Sequence, residues 1–142
     1  KRLLDIIKGK GKEAVFHRAF DCANDPFETM ELLIAMGVDR VLTSGLKPTA
    51  MEGRDMIRQL QMMFGDRIQI LAGSGVNAQN ARELMEYTGI RQVHSSCKAW
   101  LRDSTTVRNG VSYSMAGGDR AMCYDVVSKE LVESLVRRGQ GL

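Results

Sequence analysis

The chain has 142 residues, 44% hydrophobic and 26% charged, the balance of an ordinary globular protein. That balance excludes disorder, collagen-like sequence and coiled coil, and one domain over residues 1–142 is the natural count. A net charge of +3, from 20 basic and 17 acidic residues spread along the chain, gives no basic block for nucleic acid.

No apolar run approaches the roughly 18 residues of a membrane span. The basic opening KRLLDIIKGKGK lacks a long apolar stretch and a cleavage site, so neither anchor nor export is expected. Residue 1 is Lys, and Leu3, Leu4, Ile6 and Ile7 resemble the later part of an amphipathic helix. The chain therefore reads as a piece of something longer. Cys22, Cys97 and Cys123 are odd in number and lack CxxC spacing, which predicts reduced thiols in a cytoplasmic protein.

In chain order, β-rich runs alternate with helical patterns. The first run, Ala14 to Phe20, is followed by Asp25, Pro26 and Glu28, an N-cap, a first-turn proline and a capping-box acid. Met30, Leu33 and Ile34 then share an apolar face that Gly37 closes. The second run, Val38 to Ser44, leads through Gly45, Pro48 and Thr49 to a helix with Met56, Ile57, Leu60 and Phe64 on its apolar side. A third run, Ile68 to Ala72, meets Gly73-Ser74-Gly75, after which Asn77 can cap a helix carrying Ala81, Leu84 and Met85, ended by Gly89. Ile90 to Ser95 is the fourth run. The stretch Arg102 to Met122 reads as loop, and Tyr124 to Arg138 as a fourth core-facing helix with Val127, Leu131, Leu135 and Val136.

Anchors at Val15, Val41, Ile70 and Val93 leave room each time for one strand, one helix and two loops, so four βα units and a parallel sheet are predicted. Periodicity alone fits either an open sheet or half of a (β/α)8 barrel.

In parallel α/β folds, function collects where strands end and helices begin. That rule selects His17, Arg18 and Asp21; Thr43, Ser44 and Gly45; Gly73, Ser74 and Gly75; and His94, Ser95, Ser96 and Cys97. Gly73-Ser74-Gly75 before a helix start can cradle a phosphate or carboxylate, or can be merely a tight turn. His17, Arg18 and Asp21 combine a proton carrier, a fixed cation and a carboxylate, or form a structural salt bridge beside a core histidine. Asp21 and His17 share a face if the strand persists that far.

Three Cys, nine Met and two His include soft ligands suited to Cu(I), with Cys22 and Cys97 as the metal candidates just past two strand ends. Met30, Met56 and Met85 lie on apolar stripes and read as packing, and Cys123, at the start of the last helix, as a small buried residue. Trp100, Tyr113 and Tyr124 near Lys98, Arg102 and Arg108 are too scattered for a nucleic-acid stacking surface.

The strings FHRAFD at 16–21, RVLTSG at 40–45, LAGSGV at 71–76 and VHSS at 93–96 resemble, in order and spacing, the last four strands of the copper homeostasis protein CutC family. Asp25-Pro26 and a tail with Arg108-Asn109 and Met115 add to the likeness. The resemblance implies a TIM (β/α)8 barrel of which this chain is the C-terminal half, strands five to eight, with two edges near Val15 and Val93 and one exposed apolar face. A homo-oligomer or a partner would cover that opening.

The family is associated with cytoplasmic copper handling, and some members bind Cu(I) and form oligomers. Its copper-linked cysteines lie in the half that is not here. Two functions are therefore carried forward: a non-enzymatic Cu(I)-binding or buffering protein, and a barrel that binds or transforms a small anionic metabolite at a polar mouth. No catalytic residue or reaction is assigned.

Overall fold

The computed structural model describes residues 2–114 and 116–139; Met115 of the tail motif lies outside them. Helix α1 (Arg2–Gly9) precedes β1 (Val15–Phe16), α2 (Pro26–Met36), β2 (Arg40–Thr43), α3 (Arg54–Phe64), β3 (Gln69–Ala72), α4 (Ala81–Thr88) and β4 (Gln92–Val93). The four strands form one parallel sheet in sequential order, with β1 and β4 at its edges. The α/β arrangement and the parallel sheet match the expectation from periodicity.

Local chemistry explains the element ends. Asp25 accepts hydrogen bonds from the N–H groups of Phe27 and Glu28 at 2.8 and 3.0 Å, with Pro26 preset for the first helical position, and α2 ends at Gly37 with φ +84°. Thr49 and Glu52 exchange side-chain-to-backbone hydrogen bonds at 3.3 Å ahead of α3. Asn77 caps a turn, through Gln79 N–H at 2.9 Å, and α4 proper opens only at Ala81.

Register assigns the two faces of the sheet. Phe16 pairs with Val41, Val41 with Ile70, and Ala72 with Val93, and these side chains meet α2, α3 and α4 in a core containing Met30, Ile57, Leu60, Phe64 and Leu84. Burying each such side chain stabilises by about 1.5–3 kcal/mol. Met30 and Met85 are buried in this core and Met56 packs against it, as the stripes predicted.

The opposite face carries Val15, Arg40, Leu42, Gln69, Leu71 and Gln92. It was expected to be apolar, and it is instead mixed: Glu13 and Gln69 accept from Arg40 at 2.9 Å, and Gln92 donates to Gln69 at 2.7 Å. Polar residues at the strand starts thus bond to one another across strands.

Three further expectations are corrected. The first run is a strand only to Phe16, because His17 accepts the N–H of Ala19 and turns Arg18–Cys22 into a 3-10 helix. The stretch Arg102 to Met122 is not all loop: β6 (Val107–Arg108) and β7 (Val111–Ser112) form a hairpin within it, and the strands that flank it, β5 (Lys98–Arg102) and β8 (Cys123–Val127), pair antiparallel. The hairpin turn, Asn109-Gly110, has φ +53° and +76°, which only such a pair adopts cheaply. Tyr124 to Val127 is therefore strand, Cys123 lies in it, and the last helix, α5 (Lys129–Gly139), starts after Ser128, whose hydroxyl accepts the N–H of Leu131. Among the described residues no helix is long and apolar enough to cross a membrane.

Candidate functional site

The loops after β1, β2, β3 and β4 lie at one end of the sheet, and a polar cluster there is built on Asp21. Its carboxylate accepts Thr43 Oγ1 at 2.5 Å, the N–H of Ser44 at 3.0 Å, Ser44 Oγ at 2.9 Å, Arg18 Nε at 2.8 Å and the N–H of Leu46 at 3.2 Å. Thr43 and Ser44 are fully buried. Burial pushes the Asp21 carboxyl upward, but hydrogen bonds from Thr43, Arg18, Ser44 and Leu46 outweigh it and hold the group below its ordinary value. Asp21 is an ionised anchor whose acceptor sites are filled, and it ties the end of β1 to the loop after β2.

Arg18 also donates through Nη2 to Ser44 Oγ at 2.7 Å, while 40% of its side chain stays exposed and its Nη1 makes no hydrogen bond among the described residues. A fixed cation is thereby presented at the loop surface. The pairing of His17 with Asp21 does not form. His17 is exposed, its ring stacks on Phe16, and its Nδ1 accepts the Ala19 N–H, so a neutral ring carries its proton on Nε2.

The glycines of these loops answer to close packing. A Cβ on Gly45 would lie 2.1 Å from the carbonyl oxygen of Gly53, and one on Gly73 would meet Leu42 at 2.8 Å and His94 at 3.4 Å. Among the described residues, three of the four non-glycine residues with positive φ, Leu46, Ser74 and Cys97, sit in the same set of loops. Such backbone is uncommon and is held by its surroundings. Ser74 Oγ donates to the carbonyl of Pro48 at 2.7 Å, and the N–H of Ala50 donates to the carbonyl of Ser74 at 3.0 Å.

His94 is exposed beside Gly73, Ser95 Oγ accepts the N–H of Cys97 at 3.2 Å, and Ser96 is exposed. The two candidate thiols are not brought together. Cys22 is exposed after β1 and Cys97 buried after β4, so three strand spacings of about 4.8 Å separate their loops along the sheet. Among the described residues, no three His, Cys, Asp or Glu side chains form a group able to hold a metal ion.

Two features escaped the sequence reading. A cavity of about 240 Å³ lies between the loops after β3 and β4, lined by Gly75, Val76, Gln79, Ser96 and Lys98 with Leu131 of α5 beside them. Lys98 stands one residue past Cys97, so extending the strand-end rule by one position finds it. Leu46, which joins the Asp21 cluster by its backbone, carries no side-chain signal.

The model of the CutC family matches residues 2–99. The CutC family protein of Pasteurella multocida is 48% identical over 95 residues, 67% of this chain and 39% of that protein. That of Porphyromonas gingivalis is 50% identical over 103 residues, 72% of this chain and 42% of that protein. Among solved structures, CutC of Streptococcus agalactiae, described by name as a copper homeostasis protein, aligns with a TM-score of 0.57 at 32% identity, covering 60% of this chain and 42% of that one. The chain spans less than half the length of the relatives it matches.

Proposed function

This chain belongs to the CutC family, and on that premise we propose that its strand-end face receives a small anionic organic ligand. The carrying observation is the excess of fixed donors over acceptors there: Arg18 is half-buried and oriented by Asp21 and Ser44 with its Nη1 open, while the Asp21 carboxylate is already saturated. Hard donors of this kind suit phosphate or carboxylate oxygens, whereas Cu(I) favours sulfur.

The same reading takes residues 1–142 as a single domain forming the C-terminal half of a (β/α)8 barrel. Sequential parallel strands joined by helices, two open edges and a face of interbonded Arg40, Gln69 and Gln92 opposite the helices support it. A second copy, or the remainder of a full-length barrel, closes the opening, and sedimentation of the purified chain reports which. Three free cysteines support a cytoplasmic setting.

The test is thermal stabilisation of this chain by phosphorylated and carboxylated metabolites, repeated with Arg18→Ala and His17→Ala. Saturable stabilisation lost in the Arg18 variant is expected. A panel without effect, and variants indistinguishable from wild type, would sink the reading.

The name of the Streptococcus agalactiae neighbour and the exposed Cys22 thiol favour a second reading, Cu(I) binding or buffering without catalysis. An anaerobic Cu(I) competition titration against a colorimetric chelator, on wild type and on the Cys22→Ala/Cys97→Ala variant, decides it. Stoichiometric binding lost in the variant supports copper, and equal binding in both removes the two thiols from any copper role.

A further inference from the structure

We propose that Asn109, at the tip of the β6–β7 hairpin, is a site of spontaneous deamidation, and that its isoaspartyl product undoes the hairpin. The position lies beyond residues 2–99, which the CutC family matches.

The chain has four asparagines, Asn24, Asn77, Asn80 and Asn109, and glycine follows only the last. A side-chain carboxamide reacts with the backbone nitrogen of the next residue when the two can approach, and the next side chain is the usual obstacle. Gly110 presents none, and a Cβ there would meet nothing within 4 Å, so the approach runs through open space. Both reacting groups are uncommitted. Asn109 and Gly110 are exposed, and neither the Asn109 carboxamide nor the Gly110 N–H makes a hydrogen bond among the described residues. Asn77 and Asn80, by contrast, are held. Asn77 Oδ1 accepts the N–H of Gln79 at 2.9 Å, Asn80 Oδ1 accepts the N–H of Asn77 at 2.9 Å, and Asn80 Nδ2 donates to the carbonyl of Gly75 at 2.9 Å. The nitrogen after Asn80 is also taken, since the N–H of Ala81 donates to the carbonyl of Asn77 at 2.9 Å.

Little holds the turn at 109 closed. β6 and β7 are two residues each, and among the described residues they form a sheet of their own, paired neither with the parallel sheet nor with the β5–β8 ribbon. Val111, Ser112 and Tyr113 are exposed beyond the turn. A lone two-stranded hairpin is marginal in water, so this one opens locally at small cost and its side chain samples the reactive geometry.

The step balances with water alone. A base removes the Gly110 N–H proton, that nitrogen bonds to Asn109 Cγ, and the side-chain nitrogen leaves as ammonia, closing a cyclic imide. Water then opens the imide at either carbonyl. Breaking the bond between nitrogen and Cγ gives aspartate on the original backbone. Breaking the bond between nitrogen and the backbone carbonyl carbon gives isoaspartate, with the chain routed through Cγ and lengthened by a methylene. Aspartate tolerates the φ of +53° found here, so the first product keeps the turn. The second lengthens a two-residue loop that sets the register of Arg108 with Val111 and Val107 with Ser112.

Incubation of the folded ¹⁵N-labelled chain at mildly alkaline pH, followed by peptide mass mapping and an isoaspartyl methyltransferase assay, tests the proposal. Loss of the amide at 109 with isoaspartate at that position is expected, while 77 and 80 keep theirs. The NMR signals of 107, 108, 111 and 112 should shift in step with the isoaspartate fraction. Asn109→Gly suits the same turn and lacks the carboxamide, so its peptide should not change in mass, and freshly purified Asn109→Asp should keep the hairpin signals of wild type. An amide at 109 that lasts as long as those at 77 and 80, or that is lost only once urea has unfolded the chain, overturns the site. Isoaspartate at 109 with unmoved hairpin signals overturns its consequence for the fold.

Discussion

Thr43 at the end of β2 donates its hydroxyl to Asp21 Oδ1 at 2.5 Å, so a carboxylate from the turn after β1 organises the loop of its neighbouring strand. Removing it strands the buried Thr43 hydroxyl and the N–H groups of Ser44 and Leu46. Each unsatisfied buried donor costs about 1–3 kcal/mol, with relaxation and water returning part, so Asp21→Ala should destabilise by about 2–4 kcal/mol in urea unfolding. Asp21→Asn, which keeps the shape but loses the charge facing Arg18, should cost less than Asp21→Ala.

The same contacts set a pH dependence. Burial, which raises the Asp21 carboxyl, is outweighed by hydrogen bonds from Thr43, Arg18, Ser44 and Leu46, so its folded value lies below the ordinary 3.8. A depressed carboxyl contributes stability that is fully present above the unfolded value and is lost as pH falls through the folded one. Stability should therefore decline below about pH 4. Asp39, held down by Lys8 and the N–H of Ala14, acts in the same direction. The Asp21→Asn chain should show a shallower acid limb than wild type, and parallel limbs would contradict the ionised anchor.

Gly45 and Gly37 separate two reasons for glycine. Both have positive φ, but a Cβ at Gly37 enters open space, while one at Gly45 would lie 2.1 Å from the Gly53 carbonyl oxygen. Gly37→Ala should cost about 1 kcal/mol, the penalty of the left-handed conformation alone. Gly45→Ala must in addition separate two backbone segments, and a loss of about 3 kcal/mol or more is expected. Equal denaturation midpoints for the two variants would contradict the close approach.

The parallel sheet was legible because Val41, Ile70 and Ala72 stand in short apolar runs that turn chemistry ends cleanly at Gly45 and Gly73. Asp25, Pro26 and Gly37 likewise announce α2 with side chains that act locally. The Asp21 cluster was legible in part: its residue types were selected, but its role depends on the N–H groups of Ser44 and Leu46, 23 and 25 residues away, which no local pattern encodes. The polar bonding on the sheet face opposite the helices escaped notice because Arg40, Gln69 and Gln92 bond across strands, and a residue's cross-strand partner is fixed by register. The hairpin at Asn109-Gly110 had its signal in the sequence, and short two-residue strands left little alternation around it to draw attention.

Phe64 and Leu84 test whether the helix layer is a packed core. Both are at most 2% exposed, and Phe64 also stacks at a tilt against Phe27 with ring centroids 6.3 Å apart. Truncation leaves a cavity that surrounding helices fill only partly, so Phe64→Ala and Leu84→Ala should each cost about 3–5 kcal/mol by chemical denaturation. Met62→Ala, at a position 75% exposed on the same helix as Phe64, should stay within about 0.5 kcal/mol of wild type.

Ser74 sets two effects against each other at one residue. Its φ of +77° disfavours any side chain by about 1 kcal/mol, and its hydroxyl returns a similar amount through the 2.7 Å bond to Pro48. Ser74→Ala keeps the strain and loses the bond, so it should destabilise by about 1 kcal/mol. Ser74→Gly loses both and should lie near wild type, about 1 kcal/mol more stable than the alanine variant despite its smaller side chain. Alanine proving as stable as glycine would mean that the turn relaxes out of the left-handed conformation once its hydroxyl is gone.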